Sequence, residues 1–171
     1  MRKLIVACLL CWASTASKAQ STAPVTLTVD LANISAIVIA PAFINPTISY
    51  TTQAHYANGV TLNQPDAMQV FSNRPYVVSV VATTDLQGPN SVTIPVNSVT
   101  VTPTTATTVT GLTLSAAAIP TGTPAALLTS TTGTVGQTVS LAYSTVGAPT
   151  ANFLKPAGQY VATVTYSITN P

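Results

Sequence analysis

Few residues of this chain are of a type that could do chemistry. The 171 residues include one histidine, His55, three aspartates, Asp30, Asp66 and Asp85, no glutamate, and two cysteines, Cys8 and Cys11. Acid–base and nucleophilic catalysis need positioned acids, bases or thiols. A Ser-His-Asp set would have to be built on His55, yet no Gly-x-Ser-x-Gly turn occurs to present the serine. Paired carboxylates for glycoside hydrolysis and a glycine-rich phosphate loop are also missing. His55 lies in Gln53-Ala54-His55-Tyr56-Ala57-Asn58-Gly59, which reads as a solvated loop before an Asn58-Gly59 turn. One histidine with scattered aspartates offers no transition-metal ligand spacing. Asp85 with carbonyls from residues 84–90 could hold calcium, but no acidic cluster supports it, and Asp66 after Pro65 reads as a turn cap. The expectation is a protein that is not an enzyme, with no catalytic residue, no cofactor and no metal.

The elements that would position these residues are strands. Val25, Leu27, Val29 and Leu31 alternate with Thr26, Thr28 and Asp30, and residues 34–40 follow, apolar on both faces near their end. Further runs of this kind are residues 47–52, 68–71, 76–83, 98–102, 112–115, 138–143 and 160–168. β-Branched and aromatic residues fill them, while Pro, Gly and Asn fill the gaps; Arg74-Pro75 marks a corner. Only residues 116–119 and 125–128 read as short helical candidates. About nine short strands without helical partners predict an all-β antiparallel β-sandwich, Ig-like or pilin-like. The uneven gaps, several longer than a hairpin turn, favour a sandwich over a barrel. Residues 103–111, rich in threonine, read as a loop or an edge.

Other side-chain patterns carry less. The pairs Thr26/Thr28, Thr100/Thr102 and Thr163/Thr165 each place two hydroxyls on one strand face, without the constant period that would order water; they read as surface coating. Aromatic residues are sparse. Tyr160 and Tyr166, on one face with Ala162, Val164 and Ile168, read as a core stripe.

The N-terminus predicts export. Met1-Arg2-Lys3 is basic, residues 4–12 are an apolar run of nine, and residues 13–19 are small and polar apart from Lys18, with Ser17 and Ala19 spaced as a signal peptidase requires. Nine apolar residues are too few to span a bilayer. Residues 1–19 are therefore read as a signal peptide cut after Ala19, leaving residues 20–171 as one β-sandwich domain. Ile5-Val6-Ala7-Cys8 also has the residue types that precede a lipid-modified cysteine, but only four apolar residues stand ahead of Cys8.

Removal of that segment takes both cysteines and three of the five cations, so Arg74 and Lys155 face Asp30, Asp66 and Asp85. Two cations cannot track a nucleic-acid backbone or an anionic membrane, which excludes nucleic acid as a partner. No apolar stretch after residue 19 reaches the length of a transmembrane helix. A surface kept soluble by hydroxyls and amides suits packed, assembled states better than one relying on charge repulsion.

The closing segment Pro156-Ala157-Gly158-Gln159-Tyr160, running into the alternating residues 160–168, resembles the last strand of bacterial exported sandwiches: fimbrial subunits, spore-coat-U-like domains and WxL-type surface domains. Residues 25–31 and 34–39 are similar to the start of some fimbrial major subunits. The resemblance covers the two ends of the chain. WxL tryptophans and chaperone-usher cysteines are missing, with Tyr76-Val77-Val78 standing where a tryptophan would be expected. It implies a structural subunit of an extracellular bacterial filament, fimbria or surface layer, with Val25, Leu27, Val29 and Leu31 as the assembly or edge strand. The implied partners are further copies of the chain or other surface proteins. The alternative is a secreted adhesin or carbohydrate-binding module, taking glycans on residues 53–64 or 120–136. Either way the chain is expected outside a bacterium or at its surface.

Overall fold

A computed structural model describes residues 22–171; the signal-peptide reading, with its Cys8 alternative, lies outside the described residues. By its contacts the chain divides into Met1–Leu31 and Ala32–Pro171. In the first unit, residues 22–31 form no regular secondary structure and every side chain is exposed.

The second unit is an all-β antiparallel sandwich. Its elements are β1 (Ser35–Ile39), α1 (Gln53–Asn58), β2 (Thr61–Ser72), β3 (Tyr76–Ala82), β4 (Leu86–Gln87), β5 (Thr93–Ile94), β6 (Thr100–Thr104), β7 (Leu112–Leu114), β8 (Ala117–Ala118), β9 (Ala125–Ser130), β10 (Thr134–Ser144) and β11 (Val164–Thr169). One sheet runs β1-β2-β10-β6-β8, a second runs β11-β3-β9-β7, and β4 pairs with β5 in a small ribbon. Among the described residues there are eleven strands rather than about nine. No helix there is long and apolar enough to cross a membrane.

Alternation builds the core. Tyr76, Val78, Val80 and Ala82 of β3 are buried while Val77, Ser79 and Val81 are only half-buried, as a pleated strand with one inward face requires. Across from them, Met68 and Val70 of β2, Val101 of β6, and Val139 and Leu141 of β10 close the interior.

Bulges add residues that period two alone would turn outward. Val78 faces Leu128 and Ser79 faces Ala126, so Leu127 is an extra residue on β9, and both leucines are fully buried. On β10 the extra residue is Gly136, at φ 83°, where a side chain would be strained. On β2 the stretch Pro65-Asp66-Ala67 opposes Ser140 alone, giving a proline that lacks a ladder donor a place inside a long strand.

Four expectations for local structure change. Residues 25–31 alternate correctly but form no strand, because alternation makes a chain compatible with a ladder without supplying the partner that completes one. Residues 47–52 form no ladder; Tyr50 is instead held through its hydroxyl to Thr145 Oγ1 at 2.5 Å. The short helical candidates are strands: β9 spans 125–130 between β3 and β7, and Ala117–Ala118 forms β8 on β6. There cross-strand partners outweigh the helix preference of alanine and leucine. The expected loop at 53–58 is the short helix α1, whose Thr52 hydroxyl accepts from the His55 N–H at 3.3 Å.

Helix α1 ends at Gly59, with φ 78° and ψ 178°, a backbone region essentially confined to glycine. A Cβ there would sit 2.6 Å from the Thr145 carbonyl oxygen. Gly59→Ala is expected to cost about 1–3 kcal/mol from backbone strain alone, read as a shift in the urea unfolding midpoint.

Candidate functional site: an unpartnered strand segment and a polar loop end

The groups with chemical potential are dispersed. His55 is half-buried on α1, where its Nδ1 accepts from the Thr51 N–H at 3.1 Å. Asp85 is used structurally: its Oδ1 accepts from the Val96 N–H at 2.9 Å, fastening the residue just before β4 to the turn after β5. Asp66 sits in the β2 bulge at φ 51°, and its N–H donates to Ser140 Oγ at 3.0 Å. Asp30 lies in the exposed segment before Leu31. Among the described residues no three His, Cys, Asp or Glu side chains come together in a way that could hold a metal ion.

Tyrosine pairing unites the two sheets. The Tyr143 and Tyr166 hydroxyls, from β10 and β11, meet at 2.7 Å within the sandwich. Burial, first of all, pushes both above the ordinary tyrosine range, and for Tyr166 the neighbouring Tyr143 adds to the effect. A folded-state value above the unfolded one means that the pair's stabilisation is fully present below pH 10.0, the ordinary tyrosine value, and is lost as pH rises through the folded values. A pH titration of circular dichroism is expected to be flat up to that point and to fall beyond it. Tyr166→Phe leaves the buried Tyr143 hydroxyl without its partner and is expected to cost about 1–3 kcal/mol at neutral pH.

One end of the second unit gathers aromatic and amide side chains that are far apart in sequence. Tyr50 stacks on Phe153 with ring centres 4.9 Å apart, and Tyr56 of α1 leans against Tyr50 at 5.1 Å. Thr145 organises the cluster: its hydroxyl meets Tyr50 and also accepts from the Val60 N–H at 2.9 Å. Beside it opens a cleft of about 390 Å³, lined by Asn97, Thr100, Val146, Pro149 and Asn152 among others. Asn152 Nδ2 donates to Ser98 Oγ at 2.7 Å and holds that wall. Of the loops expected to bind glycans, residues 53–64 contribute Tyr56, but their last part is the start of β2. Residues 120–136 are mostly β9 and the start of β10. Tyr50, the partner of Tyr56, and its own partners Thr145 and Phe153 lie outside both stretches, and no spacing in the sequence marks them as neighbours.

The expected assembly residues share one property. Val25, Leu27, Val29 and Leu31 are 89, 86, 71 and 81% exposed. Four alternating apolar side chains left in water are unusual for a chain of this size. In the second unit the outermost strands of the two sheets are β1 and β8, and β11 and β7. β11 has six residues and β1 five, against three for β7 and two for β8. Side chains on both long edges are only half-buried, among them Ile37 and Ile39 of β1 and Val164, Tyr166 and Ile168 of β11.

No protein-family model matches the chain, and no curated protein matches it.

Proposed function

We propose that this protein is a structural subunit of an extracellular bacterial filament, fimbria or surface layer, assembling through β-strand edges. Residues 25–31 of one copy add as a strand to a long free edge, β1 or β11, of the next. The observation that carries this reading is the fully exposed alternating face of Val25, Leu27, Val29 and Leu31 in a segment that forms no strand of its own. Strand addition gives such a segment what it lacks: main-chain hydrogen bonds for affinity and a covered apolar face for register. Burying four such side chains contributes on the order of 6–12 kcal/mol, while association costs roughly 4–15 kcal/mol. The apolar face alone therefore about breaks even, and the main-chain ladder decides the outcome.

Negative-stain electron microscopy of the exported protein, beside material sheared from the source cell, tests the reading. Fibres or sheets of uniform width in both samples are expected. Monomers alone in both would sink it.

The aromatic cluster favours a second reading, an adhesin or glycan-binding module. Tyr56 is exposed beside Tyr50, which stacks on Phe153, and the neighbouring cleft offers the uncharged amides and hydroxyls that sugar recognition uses. Binding on a glycan array that Tyr56→Ala removes would support it, and silence across diverse glycans would count against it.

A further inference from the structure

After residue 19 the chain has only two cations, and each is followed directly by proline: Arg74-Pro75 and Lys155-Pro156. Proline makes up 13 of the 171 residues, so its presence after both cations is an uncommon coincidence. The structure puts both bonds where a folded domain is most readily nicked. Arg74 and Pro75 are exposed in the turn between β2 and β3, and Lys155 and Pro156 are exposed in the long connection between β10 and β11. Nothing in their burial protects them.

Other interactions hold these turns in shape. The Arg74 N–H donates to Ser72 Oγ at 3.2 Å, and the Ser72 hydroxyl donates to the Arg74 carbonyl at 2.9 Å. The Pro75 carbonyl accepts from Asn170 Nδ2 at 2.8 Å. The Lys155 N–H donates to the Phe153 carbonyl at 2.9 Å, and the Pro156 carbonyl accepts from the Tyr160 hydroxyl at 2.9 Å. All of these contacts involve hydroxyls, amides or backbone groups and none uses the cationic heads, which are left accessible to a protease specificity pocket. An endopeptidase must bind the chain extended across the scissile bond, and a proline just after that bond removes the N–H and imposes a fixed φ and a bulky ring.

We propose that the proline after each exposed cation makes the loops of this domain uncleavable by endopeptidases that cut after lysine or arginine, so that the protein persists in surroundings that contain them. The protection is chemical and belongs to the bond. It therefore survives unfolding, whereas protection by compact structure does not. This inference does not rest on the assembly reading and holds for a subunit or a monomer alike.

Trypsin digestion of the full-length chain, native and in urea, with the products weighed by mass spectrometry, tests it. In both states cleavage is expected only after Arg2, Lys3 and Lys18, leaving residues 19–171 as one product. Pro75→Ala and Pro156→Ala are each expected to lose that product in the native state, giving two fragments that divide at Arg74 or Lys155. Circular dichroism matching the original protein shows that each variant is cut as a folded protein. Cleavage of the original protein at either bond would overturn the proposal. So would folded variants that stay intact, since the shape of the turns would then be the protection.

Discussion

Leu27→Asp is expected to abolish assembly completely while leaving a folded, soluble second unit. Leu27 is 86% exposed in the subunit, so a carboxylate there meets water and changes monomer stability by no more than about 0.5 kcal/mol. In the proposed assembly the same position would face the interior of a neighbour. A charge buried there without a partner costs several kcal/mol, enough to cancel the narrow surplus of the joint. Thr28→Pro separates the two contributions to that joint. It keeps all four apolar side chains but removes one main-chain donor from the added strand. If the ladder decides assembly, this variant also fails to polymerise. Sedimentation velocity and electron microscopy read both variants; polymer indistinguishable from the original in Leu27→Asp would remove residues 25–31 from the joint.

Leu128→Ala reverses that pattern. The side chain is fully buried, facing Val78 on β3 and Leu114 on β7 across two ladders of the second sheet. Truncation removes its transfer free energy and leaves a cavity that neighbours fill only in part, a loss of about 2–5 kcal/mol. Domains of this size are stable by roughly 5–15 kcal/mol in total. The unfolding midpoint should therefore drop steeply, and a marginal parent would leave little folded protein. With no cysteine outside residues 1–19, no disulfide holds the rest of the chain together when packing is lost. Urea denaturation followed by circular dichroism measures the change. A cost below about 1 kcal/mol would mean that β9 repacks around the cavity.

These two leucines also show how much of the molecule was legible in the sequence. Both are leucines, yet one is among the most exposed large hydrophobic residues described and the other is fully buried. Alternation reports only which faces of a strand are chemically alike. β-Branched runs located β3 and β10, and alternation placed Val164, Tyr166 and Ile168 of β11 on one face, which packs against the core. Alternation missed β9, where consecutive buried leucines hide the period behind a bulge, and it placed a strand at residues 25–31 where none forms.

The candidate sites divide along the same line. Val25, Leu27, Val29 and Leu31 were legible as a set because they are near neighbours in the sequence. The cluster of Tyr50, Tyr56, Thr145 and Phe153 was not, since Tyr50 and Tyr56 come from the connection before β2 while Thr145 and Phe153 come from the connection after β10, some ninety residues away.

The sequence by itself determined composition and period: an all-β antiparallel architecture, a nearly uncharged surface after residue 19, and the residue types on each strand face. Those are local properties, set by side-chain chemistry and by the two-residue repeat of an extended chain. Only the tertiary structure decided which alternating segments find a ladder, where bulges turn extra residues inward, and which distant aromatic side chains meet. Each of those depends on a hydrogen-bonding or packing partner supplied from elsewhere in the chain, and no local pattern encodes which partner that is.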